Sequence, residues 1–139
     1  MSVNKYNAER YPDPTAYQAL TSIQQEERSF RAFRPLVYIC SPYAGDIRAN
    51  TAATRRYCRF AVKAGYIPLA PHLLFPQFLN EANPKERQLR LFFGKVLLDK
   101  CNEIWVFGGL ISPEMKAEIN RSRWKNCRLR YFNEKCQEV

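Results

Sequence analysis

Short apolar runs ended by small residues or proline alternate with longer amphipathic segments, and this alternation is the feature that most limits the possible folds. Strands are predicted at residues 35–40, 66–70, 103–107 and 128–132. Helices are predicted at residues 14–31, 47–64, 84–100 and 113–125. Strands that alternate with helices favour a parallel sheet covered on both faces. We therefore expect a flavodoxin-like three-layer α/β sandwich with four to five parallel strands and an N-terminal helical extension.

The same pattern divides the chain into two parts. Residues 1–33 are predicted to be an extension that carries one helix, with Asp13 as its N-cap after a flexible lead at 1–12. Residues 34–139 are predicted to form the α/β domain. Between its second strand and the next helix, residues 71–84 contain three prolines and are expected to form a long loop packed as a lid.

Composition narrows the class of protein. Hydrophobic residues make up 46% and charged residues 25% of the chain, as in an ordinary globular domain. No apolar run approaches the roughly 20 residues of a membrane helix, and the first residues do not resemble a signal peptide. We therefore expect a cytoplasmic protein with no membrane partner. Five cysteines without a CxxC pair, together with a single histidine, His72, indicate reduced thiols and no metal site.

The net charge of +9 favours an anionic partner, although a basic surface can also serve solubility alone. Arginine-rich segments lie at residues 48–59 and 121–130. Neither contains the motif of a nucleic-acid reader, so direct DNA or RNA binding is disfavoured. A small ligand that bears phosphate fits the pattern better.

The expected topology places a ligand site beyond the carboxyl ends of the first and third strands, where the strand order reverses. The loops there are residues 41–46 and 108–113, and both lead into a helix N-terminus that favours anions. Ser112 caps the second of these helices, and its hydroxyl either only caps or also binds phosphate. Glu118 shares a helix face with Met115, so it is either a nucleophile directed at a sugar or a solvated surface carboxylate.

Two stretches resemble the nucleoside 2-deoxyribosyltransferase-like superfamily, most closely an uncharacterised branch common in bacteria, their phages and mobile elements. They are residues 38–43, with the sequence YICSPY, and residues 111–119, with ISPEMKAEI, while Asn50 between them also fits. The likeness spans about residues 35–132. It implies a flavodoxin-like fold, dimers or larger homo-oligomers, and no metal or cofactor. It also implies a hydrolase or transferase that cleaves the N-glycosidic bond of deoxynucleosides or their monophosphates.

The resemblance also implies roles for individual residues. Glu118 matches the nucleophile, and Ser112 matches a serine that contacts a 5′-phosphate. Residues of the two loops and of the helix face complete the predicted substrate-binding set: Ser41, Tyr43, Gly45, Asp46, Gly108 and Met115. Tyr43 could stack on a base or fill the lid.

Some positions depart from the family pattern. Glu114 stands where the family has glycine, and Asn102 stands where an aspartate is common. Asp99 is the predicted substitute for that aspartate, with a position one turn away from the required place as the alternative. His72 is the predicted proton donor to a departing base, with a histidine held by backbone hydrogen bonds as the alternative.

Three hypotheses follow. The first is an enzyme that cleaves or transfers at the N-glycosidic bond of a nucleoside or nucleotide. The second is a non-catalytic protein that binds or sequesters a nucleotide or a signal derived from one. The third is an interaction protein that acts through its N-terminal helix and basic surface.

Overall fold

A computed structural model of the chain describes residues 14–31 and 34–139. The chain divides into two compact units, of which the first ends at Arg34 and the second begins at Pro35. Helix α1 (Pro14–Arg31) belongs to the first unit and matches the predicted extension helix. The predicted lead and its N-cap Asp13 lie outside the described residues. Within the described ranges, no helix combines the length and apolar character that a membrane span requires.

The second unit is built on a four-stranded sheet in which every pairing is parallel. The strands are β1 (Leu36–Cys40), β2 (Ile67–Leu69), β3 (Glu103–Phe107) and β4 (Arg128–Phe132). Their spatial order is β2-β1-β3-β4. This order confirms the predicted flavodoxin-like sandwich, and the chain reverses direction across the sheet between β1 and β3.

Four helices flank the sheet: α2 (Ile47–Lys63), α3 (Pro71–Leu74), α4 (Pro84–Asp99) and α5 (Pro113–Trp124). The prediction of a long loop at 71–84 is wrong, because α3 and a 3₁₀ turn at Phe75–Gln77 occupy its first half. Proline is tolerated in the first turn of a helix, where its missing N–H has no partner to lose. Pro71 therefore begins α3, and Pro76 lies within the 3₁₀ turn that starts at Phe75.

Two hydrophobic clusters cover the two faces of the sheet. Alternate side chains of a strand point to opposite faces, so Val37 and Ile39 pack towards α2. Tyr38 and Cys40 pack on the other face, with Met115 and Ile119 of α5. All five residues of β3 are buried because helices cover both of its faces. This alternation places the side chains of Tyr38 and Cys40 next to α5.

Candidate active site

The turns that follow β1 and β3 meet at the carboxyl ends of the strands, as the topology predicts. They enclose a cavity of about 170 Å³ to which Ser41 and Tyr43 contribute from the first turn, and Ser112 from the second. A second cavity, of about 310 Å³, lies between α4 and α5. Glu118 lines both cavities. We call the two cavities the Glu118 cleft.

The carboxyl group of Glu118 is held from β1. The Tyr38 hydroxyl donates a hydrogen bond to its Oε1 at 3.0 Å. Burial raises the pKa of Glu118 to about 7, although hydrogen bonds from Cys40 and Tyr38 act in the opposite direction. Near neutral pH this carboxyl therefore exists in both ionised and protonated forms.

Tyr38 acts as a permanently neutral donor. Burial, followed by the nearby charge of Glu118, raises the pKa of its hydroxyl well above the usual value. The hydroxyl lies against Gly94 of α4, where an added Cβ would come within 3.3 Å of the oxygen. Glycine at this position lets α4 approach the strand closely enough to confine Tyr38 beside Glu118.

A network of ion pairs forms one wall of the cleft. Glu114 accepts hydrogen bonds from Arg87 at 2.8 Å and from Arg90 at 3.3 Å. Arg90, whose side chain is 5% exposed, also pairs with Glu81. Burial raises the pKa of Glu114, but the hydrogen bonds and charges of both arginines outweigh that effect and hold the pKa below its usual value. Glu114 is therefore a carboxylate at neutral pH.

His72 lies in the cleft at the end of a short hydrogen-bonded chain. Thr54 donates to the backbone carbonyl of Asn50, and its Oγ1 lies 2.8 Å from the Ser41 hydroxyl. The single hydroxyl proton of Thr54 is already used in its bond to Asn50, so in the second bond Ser41 is the donor and Thr54 Oγ1 is the acceptor. Ser41 in turn accepts from Nε2 of His72, 3.1 Å away. The structure thus assigns the proton to Nε2 and leaves Nδ1 as an acceptor.

The environment of His72 does not suit the predicted role of proton donor. Burial, followed by the charge of Arg90, lowers its pKa to about 4. At neutral pH the imidazole is therefore uncharged, and its Nε2 proton is committed to Ser41. The sequence places His72 correctly beside the cleft, but general-acid catalysis needs the protonated form that this burial disfavours.

The remaining predicted binding residues divide into two groups. Tyr43, Ser112 and Met115 line the Glu118 cleft, and the Ser112 hydroxyl also accepts from the backbone N–H of Met115 at 3.2 Å as an N-cap. Gly45 and Asp46 do not line it, and Asp46 instead caps α2 by accepting from the N–H of Ala49.

Gly108 lines a separate groove of about 550 Å³ on the α2 side of the same turns. Ser112 also lines this groove, so the two spaces adjoin at the α5 N-cap.

The structure brings neither Asp99, the predicted substitute for the family's aspartate, nor Asn102 to the cleft. Asp99 lines neither cavity and binds Arg121 through both carboxylate oxygens, at 2.9 and 2.7 Å. Asn102 precedes β3, and its side chain accepts from the N–H of Leu36 at the start of β1, at the end of the strands opposite the cleft. Lys95 lines the larger cavity.

Sequence reasoning did not assign roles to Tyr38, Arg87, Arg90 and Gly94. The alternation along β1 contained the signal for Tyr38, because it places residues 38 and 40 on one face. The sequence pattern of α4 did not predict that Arg90 is buried. On this helix the charged Arg90 is buried while the apolar Phe92 is 60% exposed, which is the reverse of an amphipathic pattern. Hydropathy therefore does not reveal which face of α4 lies against the cleft.

A four-stranded parallel sheet with its cleft at the β1–β3 reversal defines a flavodoxin-like α/β protein. The chain belongs to the family described as a domain of unknown function, DUF7768, whose model matches residues 35–132. No curated protein matches the sequence.

One solved structure that resembles the chain is the 2-deoxyribosyltransferase from the psychrotolerant bacterium Bacillus psychrosaccharolyticus. The TM-score is 0.56 at 11% sequence identity, over 70% of this chain and 72% of that one. At this identity the likeness establishes a shared fold. The placement in a branch found in phages and the expected homo-oligomer stay predictions.

Proposed function

We propose that this protein binds a nucleoside or its monophosphate in the Glu118 cleft and cleaves or transfers at the N-glycosidic bond. The observation that carries the proposal is the carboxyl group of Glu118, which lines both cavities of the cleft and is oriented by the Tyr38 hydroxyl. A fold shared with a 2-deoxyribosyltransferase supports the same choice.

In the proposed reaction, the Glu118 carboxylate attacks C1′ of the sugar as the bond from C1′ to the base nitrogen breaks. The bonding pair leaves with the base, which takes up a proton from solvent. Water or a second base then attacks C1′, gives up a proton to solvent, and releases Glu118 as a carboxylate. Tyr38 holds one carboxylate oxygen throughout, which fixes the rotation of the side chain.

The electrostatics of the cleft set the pH dependence of this chemistry. Only the ionised form of Glu118 is a nucleophile, and its pKa is about 7. Activity should therefore rise with pH through the neutral range and level off above it.

The test is a base-release assay, by liquid chromatography and mass spectrometry, on the common ribo- and deoxyribonucleosides and their 5′-monophosphates. We expect the native protein to release a base from at least one of them. Glu118→Gln should lower that rate at least about a thousandfold, as expected for loss of a nucleophile.

Glu138→Gln is the matched control for this assay. It also removes one carboxylate, but Glu138 lies at the C-terminus, is paired with Arg130 and lines neither cavity of the cleft. Its rate should equal that of the native protein. Absence of base release from the whole panel, or a Glu118→Gln variant as active as the native protein, would contradict the proposal.

The neutral state of His72 favours a second candidate function, that of a nucleotide binder without turnover. The low pKa of His72 disfavours its predicted role as proton donor to the departing base. Asp99, the other residue predicted to assist the base, lies outside both cavities. Calorimetric binding of a panel member without base release would support this candidate. Turnover that depends on Glu118 would exclude it.

A further inference from the structure

Helix α2 carries a row of cations on the face that points away from the sheet. The helix contains five basic residues and no acidic one, and all five are exposed: Arg48, Arg55, Arg56, Arg59 and Lys63. At 3.6 residues per turn they fall within about 100° of the helix surface and extend over about 22 Å of its length. The buried residues of α2 lie on the opposite face. We call the five cations the α2 basic stripe.

The charges of the α2 basic stripe are not neutralised by the chain. Among the residues that the structure describes, none of the five forms an ion pair. Two carboxylates border the stripe. Asp46 caps α2 by accepting from the N–H of Ala49, and Glu134 lines the groove of about 550 Å³ that Arg56 also lines. Even with both carboxylates counted, the stripe keeps an excess of positive charge.

The shape of the stripe fits an extended anion. A single phosphate group is held by donors that converge on one point, as at a helix N-terminus. The cations of α2 instead lie along a line that is several phosphate groups long. A nucleic-acid duplex carries a phosphate about every 3.4 Å of its axis on each strand. The stripe therefore matches the charge pattern of such a backbone better than that of a free nucleotide.

The other side chains of α2 narrow the class of polyanion. Proteins that bind single strands stack bases on exposed aromatic rings, but Tyr57 is buried and Phe60 packs against Trp105. A helix that lies on a membrane needs a free apolar face, whereas the apolar face of α2 covers the sheet through Tyr57 and Ala61. Both observations favour a duplex over a single strand or a lipid surface.

We propose that the α2 basic stripe binds the phosphate backbone of a double-stranded nucleic acid without reading its sequence. The proposal does not depend on the Glu118 cleft, since the stripe lies on the other face of the sheet from α5. Guanidinium groups bind phosphate oxygens through paired hydrogen bonds. Base recognition needs a motif that the chain does not contain, but backbone binding needs only accessible cations.

The experiment measures binding of the full chain to fluorescent 20-base-pair DNA duplexes by anisotropy, between 50 and 200 mM KCl. We expect two unrelated sequences to bind equally. The logarithm of the binding constant should fall against the logarithm of salt with a slope between about −3 and −4.5, for three to five phosphate contacts. An RNA duplex measured alongside shows which duplex form is preferred, and either preference fits the proposal.

Two variants locate the binding surface. Arg55→Gln/Arg59→Gln should weaken binding about tenfold or more and make the slope shallower by about 2. The matched control is Lys116→Gln/Arg123→Gln, which removes two exposed and unpaired cations of α5 on the other side of the sheet. The control should keep the affinity and the slope of the native protein.

Several outcomes would overturn the proposal. Equal weakening in the two variants would mean that net charge alone drives binding. Tighter binding of a 20-nucleotide single strand, or of vesicles of phosphatidylserine and phosphatidylcholine, would show another class of partner. Absence of duplex binding at 50 mM KCl would also contradict it. Should Arg55→Gln/Arg59→Gln not fold, Arg48→Gln/Lys63→Gln removes two other cations of the stripe and is held to the same expectation.

Discussion

At the scale of single residues, the buried carboxyl of Glu118 links function to stability. Its pKa is about 7 in the folded chain, against an ordinary value of 4.5. The folded state therefore binds this proton more tightly than the unfolded state does. The free energy of unfolding therefore falls as pH rises from about 4.5 through 7, because the folded protein must then hold a buried charge.

Replacing Glu118 with glutamine removes that pH-dependent loss. The free energy of unfolding of Glu118→Gln should match that of the native protein near pH 4.5. At pH 8 the free energy of unfolding of the variant should exceed that of the native protein by up to about 3 kcal/mol. Urea denaturation of both proteins at the two pH values measures the difference. A difference that does not change with pH would show that the carboxyl is solvated.

The second prediction at this scale concerns His72, which is the only histidine of the chain. Its imidazole signals in an NMR titration therefore need no assignment by mutation. Because burial lowers the pKa, we expect a midpoint near 4. A midpoint at or above the ordinary value of about 6.5 would restore His72 as a candidate proton donor.

Some site residues were predictable from the sequence and others were not. The difference lies in whether a side chain is bound by an ion-pair partner that is distant in sequence. Ser112 was predicted from its N-cap position and Glu118 from the helix face that it shares with Met115, and the structure places both at the cleft. The prediction that Asp99 acts at the site is wrong, because its carboxylate is bound by Arg121, which lies 22 residues away in sequence. The sequence also gave no reason to pair Glu114 with Arg87 and Arg90, since that contact depends on how α4 packs against α5.

At the scale of elements, the contact between Gly94 of α4 and Tyr38 of β1 positions the Tyr38 hydroxyl beside Glu118. Gly94→Ala should favour the helix itself by up to about 1 kcal/mol. The new Cβ would also stand 3.3 Å from the Tyr38 hydroxyl, which must shift by a few tenths of an ångström and so weaken its hydrogen bond to Glu118. We therefore expect base release to fall several-fold while the melting temperature stays equal or rises.

A double-mutant cycle isolates that cause. In a Tyr38→Phe background the hydroxyl is already absent, so Gly94→Ala should have no further effect on base release. Equal losses in both backgrounds would mean that Gly94 acts by another route, such as a shift of the whole of α4.

The elements themselves were largely predictable. Alternation of apolar runs with caps such as Ser112 predicted four strands, and the structure has all four. The segment at 71–84 was predicted wrongly, because its prolines signal a loop as readily as the start of a short helix. The bounds of α4 were predictable, but its buried face was not. Apolar Leu89 and Phe92 are exposed there while Arg90 is buried.

At the scale of the whole molecule, the net charge and the charge of the cleft differ. The chain carries +9 overall, which should draw anions towards its surface. Inside the cleft the arginines are matched by Glu81 and Glu114. The basic composition therefore predicts an anionic ligand, whereas Arg87 and Arg90 are already paired within the chain.

The strand order is what makes a site possible at this place. Because β1 and β3 lie side by side while the chain leaves them in opposite directions, their following turns border a common opening. Glu118 reaches this opening from α5, and Tyr38 reaches it from the centre of the sheet. The central claim is that this carboxylate forms a covalent bond to the sugar.

Mass spectrometry of the intact protein tests that claim most directly. The native protein is incubated with nucleosides that carry fluorine at C2′, which slows breakdown of a glycosyl–enzyme intermediate. We predict a mass increase of one fluorinated sugar, mapped by peptide digestion to Glu118 and absent from Glu118→Gln. Base release from these nucleosides without an adduct, or an adduct on any other residue, would contradict the account.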